Sequence, residues 1–231
     1  MRSLFFIVLM FPLLLSAQEK ATKRSCRILF LNPAEDAPKK LYLFDGTTCQ
    51  EIELPEMNFS KVYTIAGGNI TLYLLKGVVS KPEEVPAGAP SAKVAETIAD
   101  CYLVALSDSS GPLLPIRFQI IDAGEAKFRK GQMMWYNLTT QAIGGQVGKQ
   151  TLAMKGQSRV ILDAPSNSSE AYGVNLAFRI PGDDKLYPIC ETQWLHDPRS
   201  RMVVFLYGPG GRSTPQISGF TDFRDEPKKK Q

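Results

Sequence analysis

Arg129-Lys130-Gly131, followed by Trp135-Tyr136-Asn137-Leu138-Thr139, is where this chain begins its pattern a second time. Phe30-Leu31-Asn32 and Trp135-Tyr136-Asn137 hold similar places, each at the end of a first apolar run. Each is followed by a turn, two short β-rich runs and a further apolar run, Leu41 to Ile65 in the first half and Gly145 to Leu162 in the second. A weak repeat of about 105 residues has the size of one β-sandwich. The expected fold class is therefore all-β, with two tandem immunoglobulin-like β-sandwich domains at 25–128 and 129–223. One larger continuous β structure is the alternative.

Outward from that restart, short β-rich runs alternate with Gly, Pro, Asn and Asp, and helical periodicity is nearly absent. Arg27 to Leu31, Lys40 to Phe44, Ile70 to Leu75, Cys101 to Leu106, Val174 to Ile180, Leu186 to Trp194 and Met202 to Tyr207 read as strands. Asp45-Gly46 is a strong turn dipeptide, and Ala66-Gly67-Gly68-Asn69 supplies the positive φ of a hairpin. Ser80 to Ser91, with three prolines, reads as a loop or flap, and Lys93 to Asp100 fits one or two helical turns before a strand. The clusters Gly144-Gly145-Gln146-Val147-Gly148 and Gly208-Pro209-Gly210-Gly211-Arg212 lack the order and the helix of a phosphate loop and read as turns.

The 231 residues are 44% hydrophobic, 10% aromatic and 22% charged, an ordinary globular balance that excludes collagen-like, coiled-coil and wholly disordered chains. A net charge of +4, evenly spread, argues against nucleic acid or an anionic membrane as partner. Met1-Arg2-Ser3, the apolar stretch Leu4 to Leu15 and Ser16-Ala17 have the layout of a secretory signal peptide at 1–17. The stretch falls short of the roughly 20 residues a spanning helix needs. Removal after Ala17 is expected, with no integral span left afterwards; Leu15, where a small residue is usual, keeps an N-terminal anchor as the alternative. The location is periplasmic or extracellular, and residues 224–231, rich in lysine, form a disordered tail.

Cys26, Cys49, Cys101 and Cys190 all follow the signal, and an even count in an exported chain suggests two disulfides. Three pairings are open. Cys26 with Cys49, which flank one local strand pair, and Cys101 with Cys190 are expected, the shorter bridge contributing about 3 kcal/mol. Buried free thiols are the alternative, and the absence of a Cys-x-x-Cys spacing argues against zinc.

Catalytic sets are missing. His196, the single histidine, sits beside Asp197 in a turn-like Trp194-Leu195-His196-Asp197-Pro198-Arg199, and adjacent residues rarely point at one another. Asp122, Glu125, Asp183, Asp184 and Glu191 are candidate paired carboxylates but sit mostly beside turns. Neither a catalytic nor a metal or other cofactor-binding residue is assigned. Sugar-binding sandwiches use exposed aromatic faces, which makes Trp135, Tyr136, Tyr187, Trp194 and His196 the candidate surface contacts. Strand alternation over Leu186 to Trp194 puts Trp194 with Cys190 on a core face and Tyr187 on the other. Asn58, Asn69, Asn137 and Asn167 precede x-Ser or x-Thr, a glycan mark only in a eukaryotic secreted chain.

Ile28-Leu29-Phe30-Leu31-Asn32, Asp36-Ala37-Pro38 and Leu41-Tyr42-Leu43-Phe44-Asp45-Gly46 resemble the opening of exported bacterial β-sandwich domains that are themselves uncharacterised. Trp135 to Thr139, Val147-Gly148 and Trp194 to Arg199 resemble the companion domain of two-domain envelope proteins of unknown function. The resemblance covers most of the mature chain and implies fold and compartment, with no catalytic residue. The expected function is a non-enzymatic structural or interaction module that meets an unknown protein or glycan of the envelope. A carbohydrate-binding accessory protein and a hydrolase using carboxylates or His196 are the alternatives.

Overall fold

The computed structural model describes residues 24–223 apart from Pro181, Asp184 and 209–212, so the expected signal segment and tail lie outside the described residues. The described chain is all-β and sandwich-like, with no α-helix among the described residues and one 3₁₀ turn at Pro82–Glu84. The first half holds β1 (Arg24–Leu31), β2 (Lys40–Phe44), β3 (Cys49–Glu53), β4 (Tyr63–Ile65), β5 (Ile70–Leu75), β6 (Ser91–Val94), β7 (Asp100–Ser107) and β8 (Ile116–Asp122). The second holds β9 (Met133–Asn137), β10 (Ala142–Val147), β11 (Gln150–Met154), β12 (Ser158–Leu162), β13 (Ala171–Arg179), β14 (Leu186–Leu195), β15 (Ser200–Tyr207) and β16 (Gln216–Phe223).

Four sheets of four strands result: A (β4-β1-β7-β8), B (β3-β2-β5-β6), C (β12-β9-β15-β16) and D (β11-β10-β13-β14). Strand for strand, C repeats A and D repeats B. In each half the first and seventh strands run parallel in the centre of their sheet, Phe30 beside Ala105 and Trp135 beside Val204. Phe30 and Trp135 both face the interior of their own half, and Leu31 and Tyr136 both face the seam between halves.

Sheets A and B enclose one core around Ile28, Phe30, Leu43, Leu72 and Leu103, and sheets C and D enclose another around Trp135, Val174, Leu176 and Val204. A third core lies between A and C, with Leu29, Tyr102, Val104, Phe128, Met134, Phe205 and Phe220. The sheets thus stack in the order B, A, C, D. The central strands of A and C, β1, β7, β9 and β15, are covered on both faces, which is why they read as nearly continuous apolar runs while β13 of D alternates.

An ionic cluster sits in the seam. Asp222 on β16, wholly buried, accepts from Tyr102 Oη, from Arg27 Nη1 at 2.6 Å and from Arg201 Nη2 at 2.8 Å. Arg201 also donates to the carbonyls of Ala123 (2.7 Å) and Phe128 (2.8 Å) and lies over the Phe128 ring. Arg27 and Tyr102 belong to the first half, Arg201 and Asp222 to the second, so the cluster sets the angle at which the halves meet.

Several expectations need correction. Lys93 and Val94, read as the start of one or two helical turns over Lys93 to Asp100, belong to strand β6 (Ser91–Val94), paired with β5. Gly144 and Gly145 lie inside β10, not in a turn. Gly145, at φ +152, lets β10 approach β13 so closely that a Cβ there would stand 2.0 Å from the Asn175 carbonyl oxygen. None of the four cysteines is bonded to another. Cys26 faces the A/B core while Cys49, out of phase with the inward Ile52, is on the far side of sheet B. Cys101 faces the same A/B core and Cys190 the C/D core, with sheets A and C between them. Neither expected pair can close, because sheets pack about 10 Å apart and a disulfide spans at most about 7 Å between Cα atoms.

Candidate functional site

On β14 the pairing with β13 slips at Ile189: Cys190 opposes Leu176, but Pro188 opposes Ala177 and Tyr187 opposes Phe178. One extra residue reverses the side-chain parity, and Pro188, with no N–H to give, suits such a bulge. Tyr187 therefore turns inward, correcting the expected outward face; its ring centroid is 5.5 Å from that of Phe178 and its hydroxyl donates to Asp183 at 2.8 Å. Trp194 stays on the core face as expected, stacked on the fully buried Trp135 at 5.7 Å. Tyr136 packs in the A/C seam against Phe205. These four aromatics form no exposed row.

The parity of β10, β11, β13 and β14 gives sheet D a polar outer face instead. Thr151, Gln146, Asn175 and Glu191 are register neighbours across all four strands, and all are exposed. Gln146 Nε2 donates to Thr151 Oγ1 at 3.1 Å. One flanking row is Ala153, Gly144, Ala177 and Pro188; the other contains Gly148, whose N–H donates to the Gly173 carbonyl at 2.7 Å, then Gly173 and Gln193. On the side of Gly148 and Gly173 the polar row borders a shallow trough of about 380 Å³, lined by Gln146, Asn175, Glu191, Thr192 and Gln193 with the two glycines. A Cβ added at Gly173 would meet nothing within 4 Å. The trough presents amide donors and acceptors, a hydroxyl and one carboxylate, so it can bind by hydrogen bonds and not by ring stacking. Gln146 and Asn175 were not singled out from sequence; the small outward residues Ala171, Gly173 and Ala177 of β13 were the available sign, but only the pairing aligns them with Gln146.

His196 lies at a second place, a cavity of about 230 Å³ lined with Gly131, Met133, Tyr172, Ser200 and Met202 where sheets C and D meet. It is 5% exposed, its backbone N–H donates to the Glu170 carbonyl at 2.9 Å, and its Nε2 has no protein partner. Asp197 is bonded to Arg199 rather than to the ring. Its carboxylate takes two hydrogen bonds from the Arg199 side chain, at 2.8 and 3.0 Å, and this guanidinium, with the Arg199 backbone N–H, lowers its pKa to about 2. Ser200 Oγ donates to the Asp197 carbonyl.

The described acidic candidates do not gather in one place, Asp122 and Glu125 lying in the first half and Asp183 and Glu191 in the second. Asp122 pairs with Lys127 at 2.6 Å and caps Gly124, Asp183 holds Tyr187 and the Lys185 N–H, and Glu191 belongs to the trough. Glu125 is exposed in the turn after β8, and Asp184 lies outside the described residues. Asn137 is 1% exposed, with its side chain bonded to Gln141, Lys155 and Thr139. Among the described residues no helix is long and apolar enough to cross a membrane. Neither a family model nor a curated protein matches this chain.

Proposed function

We propose that the chain is a non-enzymatic, exported structural or interaction module of the cell envelope or extracellular space, freed of residues 1–17 and made of two sandwich units, 25–128 and 129–223. Each unit is taken as immunoglobulin-like, its first strand joined in parallel to its seventh in the pairs β1–β7 and β9–β15. The observation that carries the reading is the seam between sheets A and C. Its apolar core and its buried Arg27, Tyr102, Arg201 and Asp222 cluster hold the halves at one angle, which suits a rigid body that presents its outer faces to a partner. A net charge of +4 is too small to argue for nucleic acid as the partner. Fractionation of cells that naturally make the protein, with N-terminal sequencing, tests the compartment. Recovery outside the cytoplasm with an N-terminus near Gln18 is expected; a cytoplasmic chain that keeps Leu4 to Leu15 contradicts the reading.

Carbohydrate binding is a second reading, favoured by the Thr151, Gln146, Asn175 and Glu191 row. Its hydroxyl, amide and carboxylate groups match the mixed donors and acceptors of a neutral polyhydroxyl chain. Screening the intact protein on immobilised envelope polysaccharides, beside a Gly173→Leu variant that fills the trough, decides it. Retention that the variant loses while keeping its melting temperature supports this reading, and no retention by the wild type removes it.

A further inference from the structure

We propose that Cys26 and Cys101 are a disulfide-forming pair that cross-links the two central strands of sheet A when the chain folds in an oxidising compartment. The inference rests on the export reading for its setting, but its geometry stands independently of it.

In the parallel pairing of β1 with β7, Cys26 and Cys101 are direct register partners. Neighbouring strands lie about 4.8 Å apart, within the 4.4–6.8 Å that disulfides span between Cα atoms. Both side chains point into the A/B core, at 0% and 1% exposure. The facing Cys101 thiol, then burial, holds the proton on Cys26 well above the usual thiol range, in keeping with their facing positions in the register. Cys49 and Cys190 have no such partner, being held on the far side of sheet B and in the C/D core.

The repeat itself does not call for thiols at this rung. The matching place in sheet C brings together Gly131 and Ser200, whose backbones meet at 2.7 Å. Two cysteines on one rung are thus a property of the first half alone.

The oxidant is a protein or small-molecule disulfide. The thiolate of one cysteine attacks it and expels one of its sulfurs as a thiolate. The second cysteine then attacks the mixed disulfide and expels the other, so Cys26 and Cys101 lose two electrons and two protons and the oxidant leaves as two thiols. Because the pair is wholly buried in the finished fold, exchange takes place before β1 and β7 close. The native thiols, if left reduced, are shielded from attack.

The test is refolding of the intact chain carrying Cys49→Ser and Cys190→Ser in a glutathione redox buffer, followed by thiol counting in denaturant and non-reducing peptide mapping. Both replaced residues are only partly buried, and serine is close to cysteine in size. The expected result is loss of both free thiols, one peptide pair joining Cys26 to Cys101, and a melting temperature raised by about 10 °C over the reduced form. A folded product with two free thiols, or with glutathione on each cysteine, overturns the pair. Mapping of the natively exported wild-type chain separates the two readings. A processed N-terminus with Cys26 and Cys101 free contradicts the pair and leaves export standing, whereas a bridge formed in vitro beside an unprocessed, reduced cellular chain contradicts export alone.

Discussion

Strand β7 of sheet A buries every residue from Cys101 to Ala105, whereas β13 of sheet D exposes or half-exposes Gly173, Asn175 and Ala177 between buried Tyr172, Val174, Leu176 and Phe178. The two strands belong to halves with the same order of pairing. They differ in what covers them, since sheet A has sheet B on one face and sheet C on the other, while sheet D has a neighbour on one face only. Inner sheets carry the stability and fix the shape; outer sheets are free to carry polar residues that meet a partner. Substitutions should therefore cost most in the seam and least on the outer faces.

The largest effect is expected at Asp222. Replacement by Ala removes the buried carboxylate that Arg27 and Arg201 share, leaving Arg201 the more distant Asp100 at 3.6 Å, and should cost about 3–5 kcal/mol in urea denaturation. Gly145→Ala sharpens the comparison within one outer sheet. Its Cβ would collide with the Asn175 carbonyl, and the cost should reach about 3 kcal/mol by thermal melting.

Asp45 gives a smaller effect that depends on pH. Burial raises its pKa, but donation from the Thr48 and Thr47 N–H groups, the Thr47 hydroxyl and the Ala66 N–H outweighs burial and leaves the pKa lowered. A carboxylate with a lowered native pKa stabilises above its unfolded pKa of about 3.9, and that contribution is lost as pH falls through the native value. Asp45→Asn should reduce stability at pH 7 by about 1–3 kcal/mol, with the gap to the wild type narrowing below about pH 4. The smallest effect belongs to Gly173→Ala on the open outer face, where a change within about 1 kcal/mol, of either sign, is expected from the same melts.

Much of this contrast could be read from residues alone. The runs Ile28 to Leu31 and Val203 to Leu206 are apolar at every position, which a strand with one wet face does not require, and the match of Phe30-Leu31 with Trp135-Tyr136 marks the repeat. Other features depend on pairing that no local pattern reveals. Arg27 and Asp222 are 195 positions apart and meet only because the halves pack back to back. The inward turn of Tyr187 follows from one extra residue beside Pro188, which alternation counting passes over. The cysteine pairing failed for a similar reason: the first strand joins the seventh in parallel, so Cys26 meets Cys101 and not its neighbour in sequence.

The central claim is that two halves joined at the A/C seam unfold as one body. Both tryptophans of the chain, Trp135 and Trp194, lie in the second half, so fluorescence reports that half alone, while amide exchange at Leu72 and Leu74 reports the first. Urea unfolding of the intact protein followed by both probes should give one coincident transition. Leu72 and Leu74 opening at a clearly different urea concentration from the tryptophan signal would contradict the claim.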